Sequence, residues 1–304
     1  MTNSSKRFVV IGTLGSFCAI IVRVIQVLFI TEGDTGFFKK GYHGLGLAVS
    51  LFVFFIILAA AMYACFIPKR KIVPHKTTFY LAISEFLMAA AIVYEAIFSQ
   101  IGSNVPAWQI LLQMIFGLLS AGTFVLDGLS FFTEKKVSPT LSISHILFWL
   151  VRVIIVFSSY ITVSVVSENV FELTALCVSL VFFLNISKFQ NSVGKLNLRS
   201  LTCLGITAFI SCIVYSVPQI IALIVSGQPY FTFRGVSFIT DAVLALYIVC
   251  FYFATILPEK EDEPLPQQVE EAVQETEDNT DFGDYSDIGE FVFADNEEAP
   301  EENN

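Results

Sequence analysis

The chain has 304 residues, 55% of them hydrophobic and only 14% charged, which falls outside the range of soluble domains. Thirty-one Phe, a positive mean hydropathy and several uncharged runs near twenty residues exclude a soluble enzyme, a disordered chain and a disulfide scaffold. The formal charge of −10 joins two opposed parts: residues 258–304 hold eighteen Asp and Glu against Lys260 alone, a charge of −17, whereas 1–257 hold sixteen basic and nine acidic residues, a charge of +7.

Eight stretches suit a bilayer crossing: 8–30, 43–67, 77–99, 107–133, 141–165, 168–188, 200–226 and 235–257. Each is expected to be helical, because a lipid-exposed segment has to satisfy its own backbone amides, and none alternates as a barrel strand does. The expected fold is therefore an all-α polytopic membrane protein, with a transmembrane bundle over 1–257 and a disordered acidic tail over 258–304.

The first span follows Lys6-Arg7 but does not read as a secretory signal, because no small-x-small cleavage site follows and the apolar run continues past Arg23. After it comes the most distinctive connecting stretch, 31–41, where Gly33, Gly36 and Gly41 permit tight turns and Phe37 and Phe38 accompany mixed charge. It can act as a lid over an outer cavity, dip into the interface, or serve as a plain polar turn. Gly44, Gly46 and Ala48, Ala59 to Ala61, and Ala89 to Ala91 permit close helix contact in the second and third spans. The many Phe, such as Phe52, Phe54, Phe55, Phe182 and Phe183, suit lipid contact or packing, and Tyr80 and Trp108 sit where interface anchors belong.

Basic residues fix the expected sidedness. With the N-terminus inside, cytoplasmic segments hold twelve Lys and Arg, and outer loops hold only Lys39, Lys40 and Arg234. Both termini are then cytoplasmic and the host is the cytoplasmic or plasma membrane. A parallel repeat of four spans is suggested by Val22-Arg23-Val24-Ile25 against Val151-Arg152-Val153-Ile154 and by Val49-Ser50-Leu51 against Val178-Ser179-Leu180, both at an offset of 129.

Ionisable groups in lipid are the candidate site, since each costs several kcal/mol unless paired, hydrated or neutralised. Arg23, Glu85, Arg152 and Asp241 form that set, with Glu95 and Glu172 near the outer boundary and Asp127 near the inner one. Depth along each span pairs Arg23 with Asp241 and Arg152 with Glu85. Such pairs are either structural locks on helix register or the walls of a hydrated cavity that binds an anionic group and takes up a proton or cation. Pro218, followed by Gln219, bends the seventh span and frees a backbone carbonyl there.

Catalytic patterns are not evident. No zinc-protease helix, nucleophile elbow or phosphate-binding loop occurs, the three His lie on different segments, and the six Cys form no Cys-x-x-Cys pair. No metal or cofactor is expected, and an enzyme is disfavoured. In the tail, Phe282, Tyr285, Ile288, Phe291 and Phe293 stand among acids, as in a segment that docks a cytoplasmic protein. Its charge disfavours nucleic acid. Two functions follow: binding or transport of a small polar or anionic solute through the bundle, or a non-transporting scaffold or regulator that acts through the tail.

Overall fold

A backbone amide in hydrocarbon has no water to bond, so long apolar runs close their own hydrogen bonds as helices. The computed structural model describes residues 3–32, 36–64, 79–98, 106–133, 138–160, 167–190, 198–226 and 237–256, and nearly all of them are helical. Helix α1 is Asn3–Ile25, α2 His43–Ala64, α3 Phe79–Phe98, α4 Ala107–Thr133, α5 Ile143–Tyr160, α6 Ser167–Gln190, α7 Leu198–Ser226 and α8 Ser237–Ile256. A π-helical turn, Gln26–Ile30, extends α1, and a 3-10 turn, Pro139–Ser142, leads into α5. Seven of the described helices are long and apolar enough to cross a membrane, and the apolar stretch of the first, Leu14–Ile30, is shorter. The tail 258–304, with the docking candidates Phe282, Tyr285, Ile288, Phe291 and Phe293, lies outside the described residues.

Helices α3 to α8 form a closed circuit, each packing on the next in chain order and α8 returning to α3. Helices α1 and α2 pack on each other and on α7, which thereby touches α1, α2, α6 and α8. In both halves the first two helices pair and the last two pair. However, α6 packs on α7 with no packing of that extent between α2 and α3, so the arrangement does not display the repeat suggested by the sequence. The hub helix α7 is 29 residues long and carries Pro218 inside it. Proline lacks the amide hydrogen that would bond the Val214 carbonyl four residues back, and its ring favours a bend there.

Apolar side chains divide by face. Phe17, Phe29, Leu51, Phe52, Phe55, Phe132, Phe157 and Ile224 are exposed on the outside of the bundle, where hydrocarbon would cover them. Phe54 turns inward and stacks on Phe171, and Phe182 and Phe183 are buried. An aromatic layer fills the middle of the circuit: Trp149 stacks on Phe183, Phe183 on Tyr247, and Phe124 meets both Phe183 and Tyr247 edge-on. At Gly205 the backbone of α7 approaches α8 so closely that any Cβ would collide with the ring of Tyr252, whose hydroxyl donates to the Leu201 carbonyl.

The stretch after α1 is a compact turn. An antiparallel bridge joins Thr31 to Phe38, the Lys39 amide donates to the Ile30 carbonyl at 2.8 Å, and Gly36 and Gly41 take φ of 70° and 91°, conformations that side chains with a Cβ rarely adopt. Phe37 is exposed, whereas the Phe38 ring lies on Gly46, where a Cβ would sit 2.5 Å from it. Phe38 thus holds the turn down on α2. Residues 33–35 lie outside the described set.

Candidate functional site

Polar side chains in the bundle gather at one level, near the helix ends that carry the 31–42 turn. Arg23, at the end of α1, is 0% exposed; its Nη1 donates to Gln26 Oε1 and its Nη2 to Glu168 Oε2, each at 2.6 Å. The wide π-helical turn directly after Ile25 begins at Gln26, and π turns often accompany functional positions. Gln26 passes the network to α2, donating to the Gly46 carbonyl at 2.9 Å and to Ser50 Oγ at 2.8 Å. Glu168 sits in the first turn of α6, where the helix dipole favours a carboxylate, and also accepts from Gln219 Nε2 of α7 at 3.3 Å. The guanidinium of Arg23 lies over the Phe171 ring, 4.1 Å from its centroid.

The second network centres on Arg152 of α5, also 0% exposed. Its Nε lies 2.9 Å from Glu95 Oε1 of α3, and its Nη1 donates to Asp241 Oδ1 of α8 at 2.9 Å. Nη2 reaches Asp241 Oδ2 and the Ser237 carbonyl, both at 3.4 Å. Gln113 of α4 donates to Glu95 Oε1 at 3.1 Å. Ser237 Oγ bonds Glu172 of α6 at 3.3 Å and lies 3.2 Å from the Tyr215 hydroxyl of α7. Trp149 presents its ring to the guanidinium at 4.5 Å.

The two networks adjoin. Glu168 and Glu172 are four residues apart on α6, as are Tyr215 and Gln219 on α7, so each pair spans about one turn, roughly 6 Å of rise. Together the networks make a buried belt to which every one of the eight described helices contributes. Among the described residues it brings two guanidiniums, Arg23 and Arg152, together with four buried acids, Glu95, Glu168, Glu172 and Asp241. Glu95 Oε2, Glu168 Oε1, Gln219 Oε1 and Arg23 Nε are buried with no hydrogen-bond partner among the described residues.

The pairings expected from depth differ from those found. Arg23 meets Glu168 rather than Asp241, because α1 packs on α2 and α7 and not to any comparable extent on α8. Arg152 meets Asp241 and Glu95 rather than Glu85, which lies ten residues earlier on α3, about 15 Å along the axis. Arg152 lies near the middle of the described α5, Ile143–Tyr160, and depth along a span does not say which residues of neighbouring helices stand at its level. The amides of Gln26 and Gln113 and the carboxylate of Glu168 attracted no notice in the sequence, although Glu168 and Glu172 share one helical face.

Glu85 belongs to a different group. With Asp127 of α4 and Tyr247 of α8 it lies within electrostatic reach, and His145 Nε2 of α5 stands 3.8 Å from Asp127 Oδ2. Among the described residues no cluster of His, Cys, Asp and Glu is arranged to hold a metal ion, and Cys18, Cys177, Cys203, Cys212 and Cys250 form no disulfide with one another.

The fold and the belt define a helical, multi-pass membrane protein with a charged interior. No family model matches the chain, and no curated protein or solved structure matches it.

Proposed function

We propose that this protein is a membrane carrier that binds a small polar solute at the buried belt and moves it across the bilayer. The observation that carries this reading is the crowding of acidic groups: among the described residues four buried carboxylates gather around two guanidiniums, and Glu95 Oε2, Glu168 Oε1 and Gln219 Oε1 have no hydrogen-bond donor. A lock on helix register needs only matched pairs. Crowded carboxylates in a low-dielectric interior persist where protons or a cation neutralise them. Both guanidiniums are already engaged, so a free anion would have to displace a carboxylate from one of them. A solute that brings a positive charge or travels with protons instead meets open acceptors. Pro218, between Tyr215 and Gln219 of the belt, supplies the bend in α7 that alternating access would use.

The second reading, a scaffold that docks a cytoplasmic protein through Phe282, Tyr285, Ile288, Phe291 and Phe293, is favoured by the complete burial of Arg23 and Arg152. Glu172→Gln separates the two, because it keeps an oxygen for Ser237 and removes one carboxylate charge from the belt. In liposomes loaded with a pH-sensitive dye, addition of methylammonium or guanidinium should drive proton counterflow. The variant should fold normally and lose at least about tenfold of that flux, equivalent to roughly 1.4 kcal/mol or more. Unchanged flux, or none from the unaltered protein with either probe, would favour the scaffold.

The arrangement in the membrane is part of the proposal: eight crossings, Leu14–Ile30 completing the set, with both termini in the cytoplasm of a cell whose cytoplasmic or plasma membrane holds the bundle. Its support is the twelve-to-three distribution of Lys and Arg. Single cysteines placed at Lys39 and Gln268 should differ in intact cells, the first reacting with an impermeant thiol reagent and the second protected. Reversed labelling would invert the orientation.

A further inference from the structure

The belt leaves one group of buried ionisable residues unused. Glu85 of α3 is 6% exposed, and its Oε2 is buried without a hydrogen-bond partner among the described residues. Helix α3 packs on α4 and α8. Asp127 of α4 and Tyr247 of α8 lie within electrostatic reach of Glu85, and Cys250 of α8 lies within reach of the adjacent Ser84. Beyond Asp127 stands His145 of α5, whose Nε2 is 3.8 Å from Asp127 Oδ2 and whose Nδ1 is 2.9 Å from Ser120 Oγ. Thr123 and Ser144 add a hydroxyl pair at 2.8 Å beside them. No Lys or Arg appears among these described neighbours.

The chemistry of such a group is restrictive. Glu85 is buried while the Asp127 side chain is 22% exposed, and a carboxylate taken out of water near a second one settles the conflict by holding a proton that it donates or shares. In the belt, each arginine-paired carboxylate has a cation to compensate it. Here, among the described residues, the basic group beside the pair is an imidazole directed at Asp127, and Glu85 Oε2 has no donor. Among the described residues the set lacks the arrangement that would hold a metal ion, so a proton is the ligand that satisfies it.

We propose that Glu85 and Asp127, with His145 beside them, form a proton-binding station in the bundle, separate from the belt and about 15 Å from Glu95 along α3. Binding is a simple protonation: one proton joins a carboxylate oxygen of Glu85, the charge of the Glu85 and Asp127 pair falls from −2 to −1, and nothing else is consumed. On the carrier reading, on which only this last role rests, the station is where the coupling proton stays while the belt exchanges solute.

Infrared difference spectroscopy of the purified full chain tests the station without any solute. The expected spectrum contains a protonated carboxyl C=O band at neutral pH that shifts in deuterium oxide. Glu85→Gln should abolish the band, Asp127→Asn should displace it, and Glu172→Gln in the belt should leave it in place. If Glu85→Gln fails to fold, displacement of the band by Asp127→Asn reports on the same site. The proposal falls if no such band responds to either substitution, or if sodium ions at constant pH remove the band, which would make this a cation site. A band that behaves as expected in a protein with no methylammonium or guanidinium flux leaves the station standing and removes the carrier. Flux without the band does the reverse.

Discussion

Arg152→Met should be the most damaging single substitution in the chain, leaving little folded protein. The guanidinium compensates Glu95 and Asp241 at once, each 2.9 Å away and each 0% exposed. Removing it takes from the two carboxylates the guanidinium that compensates both among the described residues. Breaking a buried pair by deleting one partner costs about 3–5 kcal/mol, and here a second acid is stranded as well. Against a total stability of roughly 5–15 kcal/mol, that loss alone can unfold the bundle. Arg23→Met should be milder, because Glu168 keeps the Gln219 amide as a donor and Arg23 has one carboxylate rather than two. The deciding comparison is a rescue: adding Glu95→Gln and Asp241→Asn to Arg152→Met removes both stranded charges and should restore most of the monodisperse yield in size-exclusion chromatography. Full yield from Arg152→Met alone would show that the two acids are already neutral, contradicting their role as its counterions.

The positions of the membrane helices were readable because hydrocarbon imposes one demand on every residue of a crossing segment. The span expected at 107–133 matches Ala107–Thr133, and 168–188 falls within Ser167–Gln190. The first span, expected to end at 30, does end there through the π-helical turn Gln26–Ile30, and the fifth, expected from 141, begins inside the 3-10 turn Pro139–Ser142. Which residues are charged within lipid was equally readable, since such residues are rare there. Their partners were not. Pairing depends on which helices are neighbours, and nothing in a one-dimensional pattern says that α1 lies against α7 or that α8 returns to α3. Arg23 and Asp241 have similar depth and opposite charge, yet the chain places Arg23 beside α6, where Glu168 takes the role. Glutamine was the other blind spot: Gln26 and Gln113 tie α1 to α2 and α4 to α3 through neutral amides that carry no charge signal.

Trp149→Ala tests whether the belt and the Glu85 station are separate compartments. His145, Trp149 and Arg152 lie on one face of α5 at spacings of four and three, so the indole sits between the station below and the guanidinium above, within a rise of about 10 Å. It is 0% exposed, stacked on Phe183 and 4.5 Å from Arg152, and Phe148 and Phe124 extend the same layer. Truncating a buried tryptophan costs about 3–5 kcal/mol through lost contacts and the cavity left behind, so the thermal unfolding midpoint should fall sharply. Water entering that cavity would join two sets of ionisable groups now parted by aromatic rings. Dye-loaded liposomes bearing Trp149→Ala should therefore show passive acidification after an acid pulse without any solute, whereas Trp149→Phe, which refills most of the volume, should stay tight and lose less stability. If Trp149→Ala is destabilised but holds the pH gradient as well as the unaltered protein does, the aromatic layer only packs the bundle, and the barrier between the two proton-accessible regions lies elsewhere.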